Sequence, residues 1–225
     1  MQKFRLKLMP NTKNHSISLV SFGIFLIWLF HLSGLVGILI GYADWFIPKT
    51  PLNLLLSGII FVLAFPILRF KTGLLFLGFA LIGMAVEWIG VHSGLLFGSY
   101  AYGENLGPKI YGVPALIGLN WALLGFASGA VASRLVQGRI LRTVIAAGLM
   151  TLLDLAIEPL APVFDFWEFE GGVAPWTNYL SWFLVACGMQ YLYQRWKPEN
   201  GYLISLHLLS AQAVFFVVLK LTDFL

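Results

Sequence analysis

Unbroken apolar runs of about 17 to 24 residues alternate along this chain with short interruptions that are basic at some junctions and acidic and aromatic at others. Each run is long enough to cross roughly 30 Å of hydrocarbon as a helix. Seven spans are read, at 17–40, 52–68, 72–90, 113–134, 143–161, 177–194 and 202–220. The alternating apolar and polar pattern of a membrane β-barrel is absent. The pattern predicts an all-α, polytopic helical membrane protein, with residues 1–225 forming one transmembrane domain and no long linker. The first run follows Lys3, Arg5, Lys7 and Lys13, but it is too long for the apolar region of a signal peptide and has no clear A-x-A site. It is expected to be retained.

The basic residues set the orientation. Of the fourteen Lys and Arg, all but Lys49, Lys109 and Lys220 fall on one side if the N-terminus is cytoplasmic. That agrees with the positive-inside rule and, with seven spans, places the C-terminus outside. The acids show the opposite bias. Only Glu199 falls inside, while Asp44, Glu87, Glu104, Asp154, Glu158, Asp165, Glu168, Glu170 and Asp223 lie in the outer half or beyond it. Acids carry little topological weight, so their bias points to a site.

Two outer segments are too apolar for ordinary solvent loops. Residues 91–112 are rich in Gly and Tyr, and residues 162–176 in Phe, Trp and acids. They are either an aromatic belt at the lipid interface or a cap over a cavity. A weak internal repeat favours the cap: Phe97 and Tyr100 follow Glu87 at the intervals by which Phe164 and Trp167 follow Asp154. The register continues loosely, with Gly112, Val113, Pro114, Asn120 and Trp121 in one half and Gly172, Val173, Ala174, Pro175, Asn178 and Trp182 in the other. Spans three-four and five-six then read as two copies of one hairpin with a site between them. Chance similarity in a biased composition is the alternative.

Depth follows from the helical rise. Glu87 lies about 24 Å up span three from Lys71, Asp154 about 18 Å and Glu158 about 24 Å up span five from Arg142, and Asn120 about 10 Å down span four. Asp154 and Glu158, at i and i+4, share a helix face. His31, in the upper part of span one, is a further candidate. Ionisable groups at such depth normally face the bundle interior. A carboxyl held away from water keeps its proton more readily and can act as an acid. A second carboxyl beside it strengthens the effect. With Trp88, Tyr100, Tyr102, Trp121, Trp167 and Trp182 nearby in sequence, the set suits protonation of an alkene, with aromatic faces against the carbocation. Each residue also has a structural reading. Glu87 could snorkel to the headgroups, Asp154 could bond between helices, Glu158-Pro159 could mark a helix end, and His31 could be a packed core residue. His207 and His15 lie too far from the acids, whereas His92 is within reach of them.

Composition narrows the field. The chain is 59% hydrophobic and 11% charged, with a net charge of +4 and a mean hydropathy of +0.85. The basic residues sit in short clusters between spans, which excludes nucleic acid as a partner. Cys187 is the only cysteine, so neither a disulfide nor a CxxC motif exists. Four scattered His residues cannot build the H-x-x-x-H sets of di-iron membrane hydroxylases, and no metal site is expected. Neither GxGxxG nor a Walker motif is present, so no nucleotide or flavin cofactor is expected. Lys220, at the outer end of span seven, cannot form a mid-membrane Schiff base with retinal.

The run EWIGVHSGLLFGSYAYGENLGPKIYGVP from Glu87 to Pro114, with Asn120-Trp121, resembles the integral-membrane carotenoid biosynthesis family. So does DLAIEP from Asp154, with FDFW, GGVAP, Asn178-Tyr179 and Trp182. The family includes enzymes of the gamma-carotene and lycopene 1',2'-hydratase and bisanhydrobacterioruberin hydratase type, and the resemblance covers about residues 87–182. It implies cofactor-independent addition of water to the terminal double bond of an acyclic carotenoid psi end group, giving a tertiary alcohol. Where the family pattern reads D-x-x-x-D-P, this chain has Glu158 as the second acid, and Pro175 and Asn178 have slightly different spacing. The role of that acid and the choice of substrate are therefore less constrained than the reaction.

The expectation is a carotenoid hydratase of the cell membrane, with the bacterial inner membrane as the expected location, taking a lipophilic carotenoid from membrane lipid. Asp154 is expected to protonate the alkene, and Glu158 or Glu87 to direct water. Asn120 would hold that water, while Trp121, Tyr100, Tyr102, Trp167, Asn178, Trp182 and His31 bind the end group. Other enzymes of carotenoid biosynthesis are the implied partners. The rivals are an end-group cyclase or isomerase, in which proton loss replaces water capture, and a non-catalytic carotenoid-binding or transport protein.

Overall fold

A computed structural model describes residues 12–198 and 201–222, with side chains from residue 19 onward. Lys3, Arg5, Lys7, Glu199 and Asp223, and the side chains of Lys13 and His15, lie outside the described residues. Helix α1 (Thr12–Leu39) is followed by the short α2 (Ala43–Phe46), a 3-10 turn (Ile47–Lys49) and α3 (Thr50–Ala64). Then come α4 (Phe70–Ser93), α5 (Ala115–Leu135), α6 (Arg139–Ile157) with a 3-10 turn at Glu158–Leu160, α7 (Trp176–Trp196) and α8 (Tyr202–Leu221). Among the described residues, four short strands lie between helices: β1 (Tyr100–Tyr102), β2 (Lys109–Ile110) and β3 (Val113–Pro114) after α4, and β4 (Trp167–Phe169) after α6. The protein is an all-α polytopic membrane protein.

Among the described residues, seven long helices correspond to the seven expected spans, and six of the seven segments are apolar and long enough to cross a bilayer. The exception, α7, has the length but carries Asn178, Gln190 and Gln194 on its buried side. The second span, read at 52–68, is shifted toward the N-terminus. Its apolar segment runs from Ala43 to Ala64, because Pro66 disfavours helical backbone at Phe65, which is extended with ψ 142°.

Helix α5 is the axis of the bundle. Residues Trp121 to Ala132 are all buried, and α3, α4, α6, α7 and α8 pack around them. Gly, Ala and Ser dominate that stretch, which lets neighbouring backbones approach without large side chains between them. Polar contacts then fix the partners: Gln190 of α7 donates to the Gly125 carbonyl at 2.7 Å, and Ser133 of α5 donates to Gln194 at 3.1 Å.

The two outer segments form a cap rather than a belt. Strand β1 pairs antiparallel with β4, in the register Tyr100 with Phe169, Ala101 with Glu168 and Tyr102 with Trp167. The ladder continues at both ends, from Gly103 N–H to Phe166 and from Glu170 N–H to Ser99. Asp165 accepts from the Glu104 N–H at 2.8 Å and Asn105 donates to the Phe164 carbonyl at 2.9 Å, so the two segments hold each other's backbone. The centre of the pairing matches the sequence repeat, since Ala101 and Glu168 follow Glu87 and Asp154 at one common interval. The α4–β1–α5 and α6–β4–α7 hairpins thus meet through equivalent strands. In a Cys187→Ser background, Ala101→Cys with Glu168→Cys, both facing outward, should cross-link with a short bis-maleimide. Mass spectrometry of the joined peptides checks this, and the single-cysteine controls should give no such species.

Candidate functional site

On α4, Gly83, Glu87 and Gly90 fall on one helix face, and all three are buried. A Cβ on Gly83 would stand 2.4 Å from Cβ of Trp121, and one on Gly90 would stand 2.5 Å from the Phe97 ring and 2.9 Å from the Tyr100 hydroxyl. The two glycines therefore clear the space through which aromatic residues reach the carboxyl between them. Tyr100 and Tyr102 both donate to Glu87 Oε2, at 2.5 and 2.7 Å, and Trp121 Nε1 donates to Oε1 at 2.9 Å. One strand of the cap and one face of α5 thus close on a single side chain. Burial, followed by the neighbouring Glu87, pushes the Tyr100 and Tyr102 hydroxyls above their ordinary range, so both stay protonated as donors.

The second half of the site is held less tightly. Asp154 and Glu158 lie one turn apart where α6 tightens into its 3-10 end, with Pro159 in that turn. Asn178, at the start of α7, donates its amide to Asp154 Oδ2 at 3.5 Å and to Glu158 Oε1 at 3.4 Å. Trp167 of β4 donates to Glu158 Oε1 at 3.2 Å. In the same pocket, the Trp121 and Trp182 rings stack with centroids 3.8 Å apart and planes 11° from parallel.

All three carboxyls line one pocket with Tyr100, Tyr102, Asn120, Trp121, Trp167, Asn178 and Trp182. Ten of the eleven residues singled out in the sequence therefore meet. His31 lines a neighbouring cavity instead, where it is buried, donates from Nδ1 to the Ile27 carbonyl at 2.8 Å and meets the Phe215 ring edge-on. His92 bonds back to the Trp88 carbonyl of its own helix and is exposed. His207 accepts from Trp28 Nε1 at 3.0 Å, tying α8 to α1. Phe97 was legible only as part of the repeat, and Phe169 as one aromatic residue among many, yet both line the pocket. The pocket volume is about 30 Å³, room for water beside the carboxyls.

This is a polytopic helical membrane protein with a buried carboxyl-and-aromatic pocket beneath a two-stranded cap. The family model described as "Carotenoid biosynthesis protein" matches residues 50–222, and the chain belongs to that family. Bisanhydrobacterioruberin hydratase of Haloarcula japonica is 30% identical over 134 residues, which cover 53% of this chain and 44% of that protein. The match spans less than half of that relative's length. No solved structure matches.

Because Gly83 gives Trp121 its place beside Glu87, Gly83→Ala should lower stability by about 1–3 kcal/mol through overpacking. Gly78→Ala on the same helix, where an added Cβ meets nothing within 4 Å, should leave stability unchanged or slightly higher. Unfolding of the purified variants in detergent, followed by circular dichroism, compares the two.

Proposed function

We propose that the protein is a carotenoid-modifying enzyme that adds water, without a cofactor, to the terminal double bond of an acyclic psi end group, lycopene or gamma-carotene being the candidate substrates. The observation that carries this reading is the unequal treatment of the three carboxyls. Glu87 is held by three donors, whereas Asp154 has one long contact from Asn178 and faces the pocket with Glu158 one turn away. A fully bonded carboxyl is suited to fixing the pocket wall. A loosely held, desolvated one is suited to moving a proton.

In this mechanism Asp154 gives its proton to the terminal-alkene carbon that leaves a tertiary cation, and the π pair becomes the new C–H bond. The Trp121–Trp182 stack, Trp167 and Tyr100 present aromatic faces to the cation. Water held by Asn120 attacks it, its oxygen lone pair forms the C–O bond, and Glu158 accepts the released proton. Return of that proton to Asp154 through Asn178-ordered water restores the starting state, and the sum is alkene plus water to alcohol. Access for the end group widens the pocket, whose present space fits water alone. The family membership and the hydratase relative support a carotenoid substrate.

Expression in a bacterial host that makes lycopene or gamma-carotene, followed by liquid chromatography with mass detection, tests the reading. The expected product is heavier than its precursor by one water. A new pigment of unchanged mass would replace hydration with cyclisation or isomerisation. Asp154→Asn should reduce alcohol formation by about 10²-fold or more, with the protein still present in the membrane. Full activity in that variant would remove Asp154 as the acid.

A further inference from the structure

A second cavity, of about 90 Å³, lies beside the acid pocket between α1, α3, α5, α6, α8 and the cap. It shares Ile117, Asn120, Ile157 and Trp167 with the acid pocket, so Asn120 is common to both linings. Most of its wall is apolar, yet three side-chain atoms there are buried without a protein partner: Asn53 Oδ1, Ser57 Oγ and Gln212 Oε1. Ser57 and Gln212 are 1% and 8% exposed. His31 lines the same cavity, and because its Nδ1 donates to the Ile27 carbonyl, its Nε2 is the acceptor nitrogen of the neutral ring.

Buried polar groups of this kind are strongly disfavoured unless they are hydrogen-bonded. Two of the three are carbonyl acceptors and the third is a hydroxyl, which accepts as well as donates, so the missing partner must bring donors. A polyene has none. Water brings two, and the cavity has room for several molecules with the two to four polar partners each one needs. The same atoms would be a poor lining for the hydrocarbon part of a carotenoid.

We propose that the cavity bounded by His31, Asn53, Ser57 and Gln212 is an internal water chamber that supplies the attacking water to the acid pocket across Asn120. This rests on the hydration reading above. Its chemical consequence is a partition. The tertiary cation formed by Asp154 is either captured by water or returns a proton from an adjacent carbon to the Asp154 carboxylate, the C–H pair re-forming a double bond. Emptying the chamber of its polar atoms removes the first outcome and leaves the second.

The test uses the full chain in lipid vesicles loaded with the acyclic carotenoid in D₂O, with alcohol formation and deuterium in the recovered carotenoid measured together by mass spectrometry. Ser57→Ala with Gln212→Met removes two polar groups without filling the chamber. Alcohol formation should fall about tenfold, while deuterium uptake into unhydrated carotenoid continues at the wild-type rate or faster. Continued uptake also reports a folded acid pocket. Ser57→Thr, which keeps the hydroxyl, should stay within about twofold of wild type. Unchanged alcohol formation in the double variant, or parallel loss of alcohol and deuterium uptake, overturns the chamber and leaves the hydratase reading standing. Absence of alcohol from the wild-type chain, with the protein in the vesicles, overturns both.

Discussion

The structure depends on one buried carboxyl and the three donors that meet it. Glu87 sits on a membrane helix with almost no exposure, where an unpaired carboxyl is among the most costly groups a bundle can hold. Two tyrosines from β1 and one tryptophan from α5 satisfy it. Those bonds oblige the cap to fold down onto α4 and oblige α5 to approach α4 closely. Gly83 and Gly90 on either side are the steric condition for that approach. Cap, central helix and site are therefore one arrangement.

The other half of the site follows the same plan with fewer bonds. Strand β4 stands opposite β1 in register, and its Trp167 reaches Glu158 as Tyr102 of β1 reaches Glu87. Asn178 replaces the saturating donors with one amide divided between two acids at long range. Duplication of a hairpin followed by loosening of one copy would give one carboxyl that holds and two that react. Under the proposed hydration, fixed and mobile protons are separated in this way across a single pocket.

Much of this was legible in the residues. Asp154 and Glu158 at i and i+4 declare a shared face, and the equal intervals from Glu87 to Tyr100 and from Asp154 to Trp167 anticipate strands that pair about a common centre. The six apolar segments are plain from length, and α7 was found despite its lower apolarity. What the sequence hid was what depends on neighbours. Gly83 and Gly90 look like any membrane glycine until the ring beside each is known. Asn53, Ser57 and Gln212 are polar residues in apolar runs, with nothing local to say that they meet. His31 has the depth of the acids but lies on α1, and depth alone does not report which side of α5 a helix occupies. The end of α3 was misplaced because Pro66 outweighs the apolar residues on either side of it.

The position of the cap bears on how such a site can work at all. A carotenoid dissolves in lipid and water does not, so an enzyme joining them has to hold irregular, polar structure at the edge of the hydrocarbon. Backbone outside a helix is tolerated there only if its N–H and C=O groups are paired within protein. The β1–β4 ladder and the Asp165 and Asn105 bonds do that pairing, so the cap can carry tyrosine and tryptophan donors inward without leaving its own backbone exposed to lipid. Asn120 stands where the site meets the second cavity, on the helix that α3, α4, α6, α7 and α8 pack around. Both cavities are lined from the start of α5, by Ile117 and Asn120, whereas the Gly, Ala and Ser residues between Ala122 and Ala132 let the neighbouring helices approach along the rest of it. One helix thus serves close packing with its small residues and a polar interior with Asn120, in a protein whose substrate, on the proposed reading, comes to it from the lipid.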